Sequence, residues 1–128
     1  MPASIGATVA NSAPVTALAF SPDAKLIAIG AYARVLIVDT ATGKVSATWK
    51  GHGDTVRSLC FTPDGKRIIA GGGVSGAIGQ VRVWDVPSSR ETIVFGDHTD
   101  IVNQAAISPD SSTVITASSD KSLKVWEL

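Results

Sequence analysis

Cysteine is almost missing from this chain. Cys60 stands alone inside the apolar run Leu59-Cys60-Phe61, so no internal disulfide can form and the thiol reads as buried filler. A charge excess is missing too, with Lys+Arg 11 against Asp+Glu 11. A neutral chain exerts no net pull on polyanions, which sets aside nucleic acid and the membrane surface as partners. No apolar stretch is long enough to cross a bilayer. The opening Met1-Pro2-Ala3-Ser4-Ile5 lacks the basic and apolar regions of a signal peptide. The expected state is therefore a soluble, cytoplasmic protein. No window carries a convincing helical stripe, and no His/Cys cluster has zinc-ligand spacing, so neither metal nor cofactor is expected.

What is present is apolar and strand-like. Hydrophobic residues make up 45% of the 128 and charged residues 17%, the balance of a globular domain. Short runs such as Val15–Phe20, Leu26–Ile29 and Val35–Val38 are rich in β-branched and aromatic residues. Gly, Pro, Asp or Ser bounds each run, which reads as eleven or twelve short strands in an all-β fold.

The strands recur as a set. Ser21-Pro22-Asp23, Thr62-Pro63-Asp64 and Ser108-Pro109-Asp110 each follow an apolar run. Gly51-His52-Gly53-Asp54-Thr55-Val56 matches Asp97-His98-Thr99-Asp100-Ile101-Val102. His52 precedes Asp64 by 12 residues, as His98 precedes Asp110, and Trp84 and Trp126 lie 42 apart. A period of about 40–45 residues with four strands per unit is that of a β-propeller blade.

The histidine that opens each unit and the Trp-Asp or Trp-Glu that closes it resemble WD-repeat propellers. The resemblance spans nearly the whole chain as three repeats, roughly 13–50, 51–96 and 97–128, with 1–12 as a strand completing a blade. It implies a structural hydrogen-bond tetrad, supplied in the third repeat by His98, Thr116, Asp120 and Trp126. The second repeat keeps His52 and Trp84 but has Ala70 in place of the hydroxyl, and its turn Gly71–Gly79 is four residues longer and carries no Asp. The first has Asn11, Ile29 and Val38 at the His, Thr and Trp positions, and only Asp39 survives of its closing pair. The first blade is expected to be held by apolar packing alone, and the third to be the most rigid.

Chemistry must be weighed against this scaffold. His98, Asp120 and Thr116 are a triad on paper, but no nucleophile elbow or oxyanion donor accompanies them. The glycine-rich stretch 71–79 lacks the Gly-Lys-Ser/Thr and the helix of a phosphate loop, and reads as a flexible hairpin turn. Asp54, Asp97, Asp100 and Asp110 follow no EF-hand pattern and read as turn formers. No catalytic residue is expected. Surface contacts with a protein partner remain. The resemblance places Asp54, Thr55, Arg57, Asp100, Ile101 and Asn103 on one face, and Tyr32 is expected on the opposite one.

Three blades do not close a ring of the usual 4–8. The expectation is a non-catalytic interaction scaffold that closes with itself, as a six-blade dimer or a nine-blade trimer, or forms part of a larger propeller. The third repeat lacks a fourth strand, and Ser4–Ala10 can supply it to a neighbouring copy. Two further readings stand beside this one: a small-ligand or enzymatic site in the channel or at the seam between chains, and a purely structural module.

Overall fold

The computed structural model describes residues 14–128, apart from the side chain of Asp97. These residues form nine strands: β1 (Ala17–Phe20), β2 (Leu26–Asp39), β3 (Val45–Phe61), β4 (Arg67–Val74), β5 (Ile78–Asp85), β6 (Arg90–His98), β7 (Val102–Ile107), β8 (Thr113–Ser118) and β9 (Leu123–Glu127). All pair antiparallel with their sequence neighbours, β1 to β6 in one run and β7-β8-β9 in another.

The count of nine, against eleven or twelve expected, has a simple cause. Two strands each serve twice. In β2, Ile27–Gly30 pairs with β1, whereas Arg34–Val38 pairs with β3. Ala33, at φ 59°, turns the chain between these limbs. Thr40 N donates to Lys25 O across them, as Val86 N does to Lys66 O and Leu128 N to Ser112 O. Likewise Val45–Lys50 of β3 pairs with β2, and Val56–Phe61 pairs with β4. Separated this way, the first two blades have four strands each. The third has β7, β8 and β9 among the described residues, and the expected Ser4–Ala10 strand lies outside them, as does Asn11.

One hairpin is built three times from the same residue types. In Ser21-Pro22-Asp23-Ala24 the backbone closes from Ala24 N to Ser21 O at 2.9 Å, and Gly65 N to Thr62 O and Ser111 N to Ser108 O repeat it. Proline presets φ at the second position of this turn. The fourth residue is left-handed each time, at 60°, 72° and 63°. Asp23, Asp64 and Asp110 accept from the preceding Ser or Thr hydroxyl at 2.7, 2.5 and 2.6 Å. Those hydroxyl and amide donors pull all three carboxyls below their ordinary range, Asp110 to about 2.

The blades stack through matching positions. Ala28, Val35 and Ile37 of the first pack on Val56, Leu59 and Phe61 of the second. Forty-odd residues later, Ile69, Val81 and Val83 of the second pack on Val102 and Ala105 of the third. The first blade is not held by apolar packing alone, because Thr16 Oγ1 also donates to Val56 O at 2.5 Å. That hydroxyl pins strand to strand where the register leaves a carbonyl in reach.

Nor is the glycine-rich stretch a flexible turn. Gly71–Gly73 lie in β4 and Gly79 in β5, leaving only Ser75–Ala77 as the turn. A Cβ at Gly79 would fall 2.0 Å from Asp100 O, and one at Gly72 would fall 2.4 Å from Thr55 O. These glycines let the hairpin lie against the bend within β3 at Thr55 and against the connection that enters β7.

Candidate functional site

Blade three contains a continuous hydrogen-bonded chain from turn to core. Asp120, in the β8–β9 turn, meets His98 Nδ1 at 2.9 Å. His98 Nε2 meets Thr116 Oγ1 at 2.7 Å, and Trp126 Nε1 donates to the same oxygen at 3.1 Å. Indole N–H can only donate, so Thr116 accepts it and spends its own proton on Nε2. The remaining proton then sits on Nδ1 and points at Asp120. Asp120 also accepts from Thr99 N at 3.1 Å and from Ser122 N at 2.8 Å. The Ser122 hydroxyl, chiefly, and His98 hold its carboxyl well below the usual range against the opposing pull of desolvation. Thr116 is fully buried and its hydroxyl is committed on both sides. It has no path to a substrate, so the three residues do not make a nucleophilic triad.

Blade two keeps the imidazole and the indole of this chain and loses both the hydroxyl between them and the acid at the turn end. Without a hydroxyl at Ala70, Trp84 Nε1 donates directly to His52 Nε2 at 3.2 Å. Burial, reinforced by the positive charge of Arg82, pushes the His52 imidazole down to about 4. Beside it Arg82 pairs with Glu91. Blade one has only aliphatic Val38 at the tryptophan position.

The tryptophans follow an inter-blade rule. Trp49 of the first blade's last strand stacks on Trp84 of the second, with centroids 5.0 Å apart. Phe95 of the second blade's last strand stacks on Trp126 of the third at 4.5 Å. Each closing tryptophan is thus capped by an aromatic from the blade before it. Sequence reading missed this pairing, although the matching places of Trp49 and Phe95 ahead of each histidine were there to signal it.

The surface candidates separate into committed and open residues. Asp54 Oδ1 accepts from Thr55 N at 2.6 Å, and Asp100 Oδ1 accepts from Ile101 N at 2.7 Å and Gly76 N at 2.9 Å. Asp54 shapes its own loop, and Asp100 both shapes its loop and ties it to the β4–β5 turn of blade two. Asn103 donates to Ser119 Oγ at 2.7 Å. Ile101 is half-buried rather than projecting. Arg57 is exposed and lies with Ala17, Leu18, Ser58, Asn103 and Gln104 around a shallow hollow between the first strands of the three blades, about 260 Å³. Tyr32 is exposed, but not on the opposite face. It pairs in register with Thr55, because the bend of β2 at Ala33 and the bend between the two limbs of β3 lie at the same end of the stack. Among the described residues no His/Cys/Asp/Glu group is arranged to hold a metal.

The two outer faces carry apolar residues that the inner faces bury. Ile115, Leu123 and Val125 occupy in blade three the positions of Ile69, Val81 and Val83 in blade two, yet Leu123 is 71% and Val125 67% exposed. Val15, Leu18 and Phe20 occupy in blade one the positions of Val56, Leu59 and Phe61. Leu18 is 66% and Phe20 65% exposed, whereas Leu59 and Phe61 are buried.

Comparison with known proteins agrees with this architecture. The sequence model of the family described as WD domain, G-beta repeat matches residues 4–38, 43–85 and 89–127. The chain is similar to WD repeat and SOCS box-containing protein 1 of Homo sapiens, at 37% identity over 85% of this chain and 26% of the relative. It is also similar to the intraflagellar transport protein 122 homolog of Danio rerio, at 33% identity over 80% of this chain and 8% of that protein. The crystal structure of RRP9 WD40 repeats superposes with a TM-score of 0.86 at 21% identity, covering 94% of this chain and 37% of that one. The chain thus spans at most about a quarter of these two curated relatives, and the fold it shares with the crystal structure is that of adjacent propeller blades.

Proposed function

We propose, from the premise that this chain belongs to the WD-repeat family, that it is a non-catalytic interaction scaffold whose two outer faces join to close a ring. The observation that carries the reading is the repetition of one interface. Inside the chain, an Ile/Val face of one blade is buried twice against the first-strand face of the next. The same two half-interfaces recur, exposed, at the ends of the stack. Contiguous exposed apolar faces mark contact sites, and these two fit each other because each already fits its internal counterpart.

A second copy of the chain supplies both halves. The contact is heterologous, blade three of one copy against blade one of the next, and closes when the rotation per blade allows. Two copies give six blades, inside the usual range. The aromatic rule supports the same junction. Val38, at the tryptophan position of blade one, needs no aromatic cap, and Thr8 stands at the position of Trp49 and Phe95. A strand from Ser4–Ala10 completing blade three of a neighbour would bring these two small residues together. The low shares of the relatives that the chain spans favour one other reading, in which further blades of a longer polypeptide cover the same faces.

The partner surface is the end of the stack that carries Tyr32 and Arg57. Both side chains are exposed, and neither side chain has a hydrogen-bonding partner among the described residues. The relatives carry such blades in proteins named for a SOCS box and for intraflagellar transport, and a protein ligand suits this chain equally.

The test uses two variants, Leu18→Asp and Val125→Asp. Each spoils one half-interface, so each alone should remain at 13.1 kDa. Mixed, they retain one good junction between an intact blade-three face and an intact blade-one face, and should form dimers. A mixture that stays monomeric while the unmodified chain assembles would remove the heterologous junction.

A further inference from the structure

We propose that the cavity beside His52 in blade two is a binding site for a carboxylate. The argument comes from comparing the chain with itself. In blade three the Asp120 carboxylate is bound by His98 Nδ1 and by the backbone N–H of Thr99. In blade two the corresponding donors are His52 Nδ1 and Gly53 N. The hairpin that would carry the acid is longer and has none, and a cavity of about 150 Å³ lies there instead, lined by His52, Gly53, Asp54, Gly73, Val74 and Gln80 among others.

The donors face that cavity in the right protonation state. Trp84 donates to His52 Nε2, which must therefore be unprotonated, so the imidazole proton sits on Nδ1. His52 is 7% exposed, and its Nδ1 has no partner among the described residues. Gly53 falls at a break in the β2–β3 register and has no paired residue there, and a Cβ on it would meet nothing within 4 Å. Gln80 gives its Oε1 to Arg82 at 3.3 Å, leaving its amide N–H groups as further donors.

Asp54 also lines the cavity, but it does not bar a second carboxylate. Its Oδ1 is turned to the Thr55 amide, as that of its counterpart Asp100 is turned to the Ile101 amide in the blade that holds Asp120. A volume of about 150 Å³ is several times the ~30 Å³ share of a water molecule, enough for a carboxylate group. The carboxylate can arrive as a small free acid or as an aspartyl side chain reaching in from a bound protein. This inference does not depend on ring closure.

The experiment follows the two imidazoles by NMR at pH 7. Sodium acetate is titrated against sodium chloride at equal ionic strength, and a capped tripeptide with a central aspartate is titrated in parallel. The His52 resonances should shift saturably with a carboxylate and not with chloride, while those of His98, already bound to Asp120, stay still. Saturation by acetate assigns a free carboxylate, and saturation by the peptide alone assigns a partner's side chain. Val74→Trp, which fills the cavity without touching the His52–Trp84 bond, should abolish the shift. No shift with either carboxylate, or equal shifts at His52 and His98, would overturn the proposal.

Discussion

Replacing Thr116 separates hydrogen bonding from packing in a way the chain itself calibrates. Thr116→Val keeps the volume and removes the hydroxyl. It strands two groups, His98 Nε2 and Trp126 Nε1, now 2.7 and 3.1 Å from a methyl group. An unsatisfied buried polar group costs about 1–3 kcal/mol. Trp126 is only partly buried and recovers some hydration, so the sum should be about 2–4 kcal/mol. Thr116→Ala removes more atoms, and cavity reasoning alone would make it the worse variant. Blade two says otherwise. With Ala70 in that place, imidazole and indole bond directly at 3.2 Å. Thr116→Ala should let His98 and Trp126 do the same, and cost about 1 kcal/mol less than Thr116→Val. Urea unfolding at fixed protein concentration reads the difference. At roughly 2 kcal/mol per molar urea, the Val variant should lose about 1–2 M in midpoint and the Ala variant visibly less. Equal midpoints for Thr116→Val and the unmodified chain, or a lower midpoint for Ala than for Val, would refute the account of the relay.

Two other predictions concern blade two. His52 titrates at about 4 in the folded chain against 6.5 unfolded. The unfolded state therefore binds the extra proton first, and the stability held above pH 6.5 is lost as pH falls toward 4, by up to roughly 3 kcal/mol. Unfolding at pH 7 and pH 4.5 should show this loss, and His52→Gln should flatten it. Gly79→Ala places a Cβ 2.0 Å from Asp100 O and should destabilise by about 2 kcal/mol or more, seen as a lower thermal midpoint. A tolerated alanine would mean the hairpin and the β7 entry do not interlock.

How much of this could be read from sequence follows from which signals are local. The all-β class and the blade period were legible because Ser/Thr-Pro-Asp turns are fixed by neighbouring residues: a hydroxyl, a ring and a carboxylate within three positions. The roles of residues 71–79 were not. A glycine run looks the same whether it serves freedom or close approach, and what crowds Gly79 is Asp100, from the next blade. The side of Tyr32 was misjudged for the same reason, since its partner Thr55 belongs to a later strand. The merging of strands into β2 and β3 leaves no mark on composition, because both halves of each keep ordinary strand residues. The cavity beside His52 was half legible. The missing acid in the hairpin could be read, but not the donors it leaves facing open space.

The central claim is that the exposed faces of blades one and three are two halves of one interface. Sedimentation equilibrium of the unmodified chain tests it most directly. The account predicts a mass two or three times 13.1 kDa that persists on dilution, with a β-sheet circular dichroism spectrum. A single species of 13.1 kDa with the same spectrum would contradict self-closure.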